Sequence, residues 1–308
     1  MLEITSALIP VFLVILLGYG LAQFKFAPRE DWRNIERIVY FALFPALIIS
    51  SIGEADLKSL PFLPLAGTLV LTLTLAALSL SLLRRTIGAT FGLSGPAYSS
   101  VFQGSLRWNG FVALAAVAIV YGGEGITVAA FAITIMVPFV NVLSVISLSR
   151  HGAINNTSVG DVFRSISRNP LIIACLIGVF LNVTGIGMPG PIGPTADLLG
   201  RAALTLGLLA VGAGLDLQAA RANSRLVLLA CSIKLILIPI SVAILCWTFG
   251  ITGFTREVLI LCGTVPSASS AYVLARQMGG DHDLMAAIIT ASTLSAIVTM
   301  PLMVWLLH

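Results

Sequence analysis

Two short stretches of an otherwise apolar chain carry the polar side chains that could do chemistry. The first, FQGSLRWNGFVALAA from Phe102, gathers Gln103, Ser105, Arg107 and Asn109. The second, TVPSASSAYVLARQMGGD from Thr264 to Asp281, carries Thr264, Pro266, Ser267, Ser269 and Ser270. Each lies inside an apolar run long enough to cross a membrane, which takes about 20 residues. An arginine near the bilayer centre costs at least about 2.5–3.5 kcal/mol, so Arg107 asks for a partner. Its planar fork suits a carboxylate, and the Asn109 amide can donate and accept at once. A proline inside a spanning helix frees backbone groups, which is tolerable where they face a cavity or a ligand. Helices broken in mid-membrane expose N–H groups at the positive end of the helix dipole, and those groups suit an anion. The chemistry expected of both stretches is recognition of a small organic anion.

Plainer roles compete with this one. Arg107 could serve backbone carbonyls at a helix break, and the serines could be small-residue packing. Trp108 could stack on a substrate but is more often packing. Lys234, about nine residues into its apolar run, is expected to snorkel to the cytoplasmic face. Asn141, Thr290, Ser292 and Thr293 are weaker polar candidates.

Catalysis finds little material. Glu124, Asp197, Asp216, Glu257 and Asp281 all fall at or near the ends of apolar runs, and His151, His282 and His308 fall in loops or at the terminus. A proton relay through intramembrane carboxylates is hard to build from these. A membrane hydrolase would lack a base beside its nucleophile. No Walker A pattern occurs. Cys175, Cys231, Cys246 and Cys262 form no C-x-x-C pair and sit beside no histidine, so they read as packing residues. Catalytic residues, metal ligands and cofactors are therefore expected to be none.

The elements that must position these residues follow from composition. Of 308 residues, 58% are hydrophobic and 10% charged, where a soluble domain carries about 25% charged residues. The chain belongs in a bilayer, and its net charge of +4 reads as membrane topology, not nucleic-acid binding. Ten spans are predicted, at roughly 5–24, 36–53, 61–83, 96–120, 126–148, 170–188, 196–215, 225–248, 257–277 and 284–307. The N-terminal run reads as the first span and not as a signal peptide. Alternating the spans leaves Lys58, Arg201 and Arg256 on the N-terminal face, with Arg107 and Lys234 inside spans. All other Lys and Arg fall on the opposite face, which predicts both termini outside the cytoplasm of a bacterial inner (plasma) membrane.

An internal repeat sharpens the picture. YGGEG from Tyr121 resembles MGGDH from Met278, an offset at which Asn109 meets Pro266, and ADL from Ala55 resembles LDL from Leu215. The division expected is 1–150 as one five-span repeat, 151–169 as a cytoplasmic linker, and 170–308 as a second repeat. Five is odd, so the second repeat enters from the other face, an architecture typical of secondary transporters. The two polar stretches then occupy corresponding spans, 4 and 9.

These residues resemble the auxin efflux carrier family, which includes proposed malate and malonate permeases. The most specific part is VPSASSAYVLARQMGGDHDLMAAIITASTLSAIVTMPL at 265–302, with VYFALFPALIISSIGEADL at 39–57 and GSLRWNG at 104–110 in support. The resemblance implies an all-α membrane protein of ten transmembrane helices, in two inverted five-helix repeats with broken, crossing helices 4 and 9. It also implies elevator-like carriage of an organic anion bound near the crossover by Asn109 and by Pro266 with its serines. Many members have a proline near the helix 4 break; RWNGFVALAA has none, so that break is expected to rest on Gly104, Asn109 and Gly110. The expected partners are a small organic anion and the lipid bilayer, with a homodimer left open. A sodium-coupled bile-acid-type symporter shares the architecture but asks for a carboxylate cluster. A non-transporting receptor or scaffold asks for a partner surface, and no loop here exceeds about 20 residues.

Overall fold

The computed structural model describes residues 2–57, 60–153, 167–219 and 224–307. Lys58, Asn155, Arg164, Arg221, His308 and most of the predicted linker 151–169 lie outside the described residues. Among the described residues every extended regular element is a helix. In chain order these are α1 (Leu2–Gln23), α2 (Arg29–Ile38), α3 (Phe44–Gly53), α4 (Phe62–Leu82), α5 (Arg84–Phe91), α6 (Gly95–Leu106) and α7 (Gly110–His151). There follow α8 (Pro170–Val183), α9 (Ile192–Ala213), α10 (Ser224–Ser232), α11 (Ile238–Thr248), α12 (Gly253–Thr264), α13 (Ser270–Met278) and α14 (His282–Leu307).

Seven helical stretches among the described residues are long and apolar enough to cross a membrane. The difference from the ten predicted spans has local causes. The predicted spans 96–120 and 257–277 are not continuous helices: α6 and α12 are 12 residues each, or about 18 Å, short of a hydrocarbon core of about 30 Å. The predicted span 170–188 contains a helix of 14 residues, α8. Conversely α7, at 42 residues, would run about 63 Å if straight. It does not, because Gly122 takes φ 66°, ψ −154°, a conformation open to glycine alone, and divides it in two.

Prolines shape two further stretches. A π-helical turn at Val39–Leu43 precedes Pro45, and another at Ile233–Leu237 precedes Pro239. Proline lacks an N–H and its ring clashes with the carbonyl four residues back, so a widened turn absorbs the misfit without ending the helix. Helix starts obey capping chemistry. The Ser94 side chain accepts from Ala97 N at 3.3 Å, and Asn169 Oδ1 accepts from Leu171 N at 2.9 Å.

The outer surface has the character a bilayer demands. Helix α1 buries Leu8, Val11, Phe12 and Ile15, yet exposes Ile9, Leu13, Leu16 and Leu17. A helix apolar on its exposed face as well as its buried one is solvated by lipid.

The chain forms two compact units. One comprises Met1–Phe62, Gly110–Thr134 and Arg164–Gly214. Its tightest seam joins α1 and α9. A Cβ on Gly212 would stand 1.8 Å from Ile15 O, and one on Gly18 would stand 2.2 Å from Leu209 O. Lipid gives helices no hydrophobic reason to associate, so close backbone approach through such glycines supplies the contact. Within the same unit Asn182 Nδ2 donates to Ile52 O at 3.0 Å and to Ala55 O at 2.7 Å, occupying carbonyls that the end of α3 leaves over.

The other unit comprises Leu63–Asn109, Ile135–Phe163 and Leu215–His308, and holds every candidate site residue. The start of α6 is fastened to the turn between α13 and α14. Ser100 Oγ donates to Asp281 O at 2.8 Å, and Asp281 N donates to Pro96 O at 3.2 Å. That fastening aims the other end of α6 at the break between α12 and α13.

Candidate functional site

Helix α6 stops at Leu106 because Arg107 turns extended, at φ −76°, ψ 132°. Helix α12 stops at Thr264 in the same way, with Val265 at φ −66°, ψ 152°. Trp108 and Ser267 then form an antiparallel bridge, and Asn109 N donates to Pro266 O at 2.9 Å. In a continuous helix that N–H would serve Ser105 O. Inside a membrane a freed backbone group must find another protein partner, and each break supplies the other's.

No proline is needed to break the first helix. The Gly104 carbonyl accepts from Ser267 Oγ at 2.5 Å, so the second break supplies a hydroxyl for what the lost turn leaves over. Gly104 also lets α14 approach, since a Cβ there would lie 2.6 Å from Ile288 Cγ2. Ser292 of α14 braces the pair: its Oγ accepts from Ser267 N at 3.2 Å and donates to Ile289 O at 3.1 Å.

The structure thus brings Arg107, Asn109, Pro266, Ser267 and Ser270 together. Arg107, 8% exposed, donates from Nη2 to Ser270 Oγ at 3.2 Å. Ser270 is exposed and opens α13, so a guanidinium and the positive end of a helix dipole converge on one hydroxyl. Ser269 is half-buried at the N-cap of α13. The Thr264 hydroxyl is turned back on its own helix, donating to Leu261 O at 2.7 Å. Gln103 and Ser105 are fully buried in the last turn of α6, and neither side chain has a hydrogen-bond partner among the described residues. The same holds for Trp108 Nε1. A buried polar group left unmet costs about 1–3 kcal/mol, so these three side chains are unmatched hydrogen-bonding groups beside the breaks.

One residue is misplaced by sequence reasoning. Lys234 does not snorkel: it is 0% exposed, and its Nζ donates to Gly263 O at 3.3 Å and lies 5.1 Å from the Trp108 ring centroid. The signal was present in the chain as a lysine five residues before Pro239 in an apolar run, where a proline-induced π turn re-aims side chains inward. Ser292, ranked among the weaker candidates, contacts the second break directly. Thr290 accepts from Asp216 N at 3.0 Å, in the segment that follows α9. All four cysteines are free and buried, in keeping with packing roles.

The arrangement sets a buried guanidinium against the first residue of a helix, next to two extended segments that pair with each other. The family model described as "Membrane transport protein" matches residues 3–304. An uncharacterized transporter of Methanothermobacter thermautotrophicus is 27% identical over 305 residues, covering 97% of this chain and 96% of that protein. With a family match over nearly its whole length and a set of membrane-spanning helices, the chain is an integral membrane transport protein of the auxin efflux carrier family.

Proposed function

We propose that this protein carries a small organic anion, a carboxylate such as malate, malonate or an auxin-like acid, by alternating access. The observation that carries this reading is the meeting of the Arg107 guanidinium with the N-terminal end of α13 at Ser270, beside two mutually paired helix breaks. An anion there is held by a bidentate fork and by helix N–H groups, while Gln103, Ser105 and Asn109 select among acids.

The movement is elevator-like in this proposal. Support comes from the division into two compact units, each drawn from both halves of the chain. Ten crossings in two inverted repeats, 1–150 and 170–308, are part of the same reading. Helices α6 and α12 have equal length, an extended residue follows each, and Gly122 at the kink in α7 and Gly279 at the end of α13 each take positive φ. Both termini then lie outside the cytoplasm of a bacterial inner membrane.

Uptake of labelled malonate and L-malate into proteoliposomes tests the reading. Arg107→Ala is expected to lower uptake at least about tenfold, the effect of losing a charge-assisted pair in a buried site. Arg107→Lys, which keeps charge without the fork, should fall between. Unchanged affinity and flux in Arg107→Ala would remove the anion-ligand role.

A further inference from the structure

Lys234 has no place in the anion site just described, yet its setting is specific. Its ammonium meets a carbonyl and the face of an indole, and among the described residues no carboxylate forms an ion pair with it. The carbonyl belongs to Gly263, one of the last four residues of α12, whose C=O groups have no backbone N–H partner within their own helix. The indole belongs to Trp108, in the facing break. Lys234 therefore touches both breaks at once. The C-terminal end of a half-helix is the negative end of its dipole, and such ends, with unwound carbonyls, are where secondary carriers coordinate a coupling cation.

The backbone is built around this contact. Lys234 sits in the π-helical turn Ile233–Leu237, which widens the helix ahead of Pro239. A Cβ on Gly263 would stand 3.3 Å from Pro239 Cα, so the absence of a side chain at 263 brings the two backbones together. Burying an ammonium with so few partners is costly, and a residue selected only for packing would be apolar.

We propose that Lys234 is a tethered counter-ion. Its ammonium takes, at the C-terminal end of α12, the position a free coupling cation would occupy, so that anion binding at Arg107 and Ser270 needs no sodium. Lys234 is a positioning residue, acting through the geometry of the two breaks and the local field. The inference rests on the anion-carrier reading and adds to it the source of the balancing charge.

The experiment measures binding of malonate and L-malate to the purified full-length protein by calorimetry, in sodium chloride and in N-methylglucamine chloride. Wild type is expected to bind equally in both. Lys234→Met keeps the stem without the charge, and Lys234→Gln keeps a donor for Gly263 without the charge. Either variant, if it melts cooperatively, is expected to bind at least about tenfold more weakly in N-methylglucamine and to recover in part with sodium or methylammonium. Wild-type binding that requires sodium overturns the inference. So does a folded neutral variant that binds as wild type does, or one whose loss no small cation relieves. If neither variant folds, the two-salt comparison on wild type decides alone. If neither acid binds wild type, the anion reading itself has failed for these acids and Lys234 loses its role with it.

Discussion

At the scale of single residues, Ser267 is the joint. Its N–H goes to Ser292, its hydroxyl to Gly104, and its backbone bridges Trp108. Ser267→Ala leaves the Gly104 carbonyl buried without its donor, a loss of about 1–3 kcal/mol. The expected outcome is a lower melting temperature in detergent together with reduced uptake. Ser267→Thr, which restores a hydroxyl, should recover stability more than flux, because the added methyl crowds a site with no exposed surface. Thr264→Ala is the contrast: that hydroxyl only turns back on Leu261, so its removal should leave uptake within about twofold. Both serine and arginine candidates were legible in the chain as polar groups in apolar runs. Their partners were not, since Arg107 and Ser270 lie 163 positions apart.

Among elements, the α1–α9 seam is the most demanding. Gly212→Leu would drive a side chain into the Ile15 carbonyl, and no rotamer avoids a clash with backbone. Separation of the two helices is expected, with a loss of about 1–3 kcal/mol or more read as a drop in melting temperature. Gly20→Leu, in the partner helix α1 but with nothing within 4 Å of its Cβ, should be neutral and serves as the control. The element boundaries also show where local reading stopped. Hydropathy averages over a window, so it marks 96–120 and 257–277 as spans and is blind to a three- or five-residue break at their centres.

For the whole molecule, the proposed orientation puts the α4–α6 connection in the cytoplasm and the α11–α12 connection outside. The four native cysteines are buried, so a background of thiol labelling is small. In intact cells a membrane-impermeant maleimide is expected to label Thr252→Cys directly and Arg85→Cys only after permeabilisation. The reverse pattern would invert the topology, and labelling of both would show an error in the number of crossings between them.

Composition and period by themselves determined that this chain is an all-helical membrane protein and that the polar residues proposed for the anion site fall in two stretches. Those properties are local: each follows from side-chain transfer free energy and from prolines and glycines acting on their own turn. Tertiary structure alone decided that the first of these helices breaks without a proline, that Asn109 is paired with Pro266, and that Lys234 faces inward. Each of those depends on which distant backbone group completes a hydrogen bond, and in a medium without water only the folded arrangement supplies the answer.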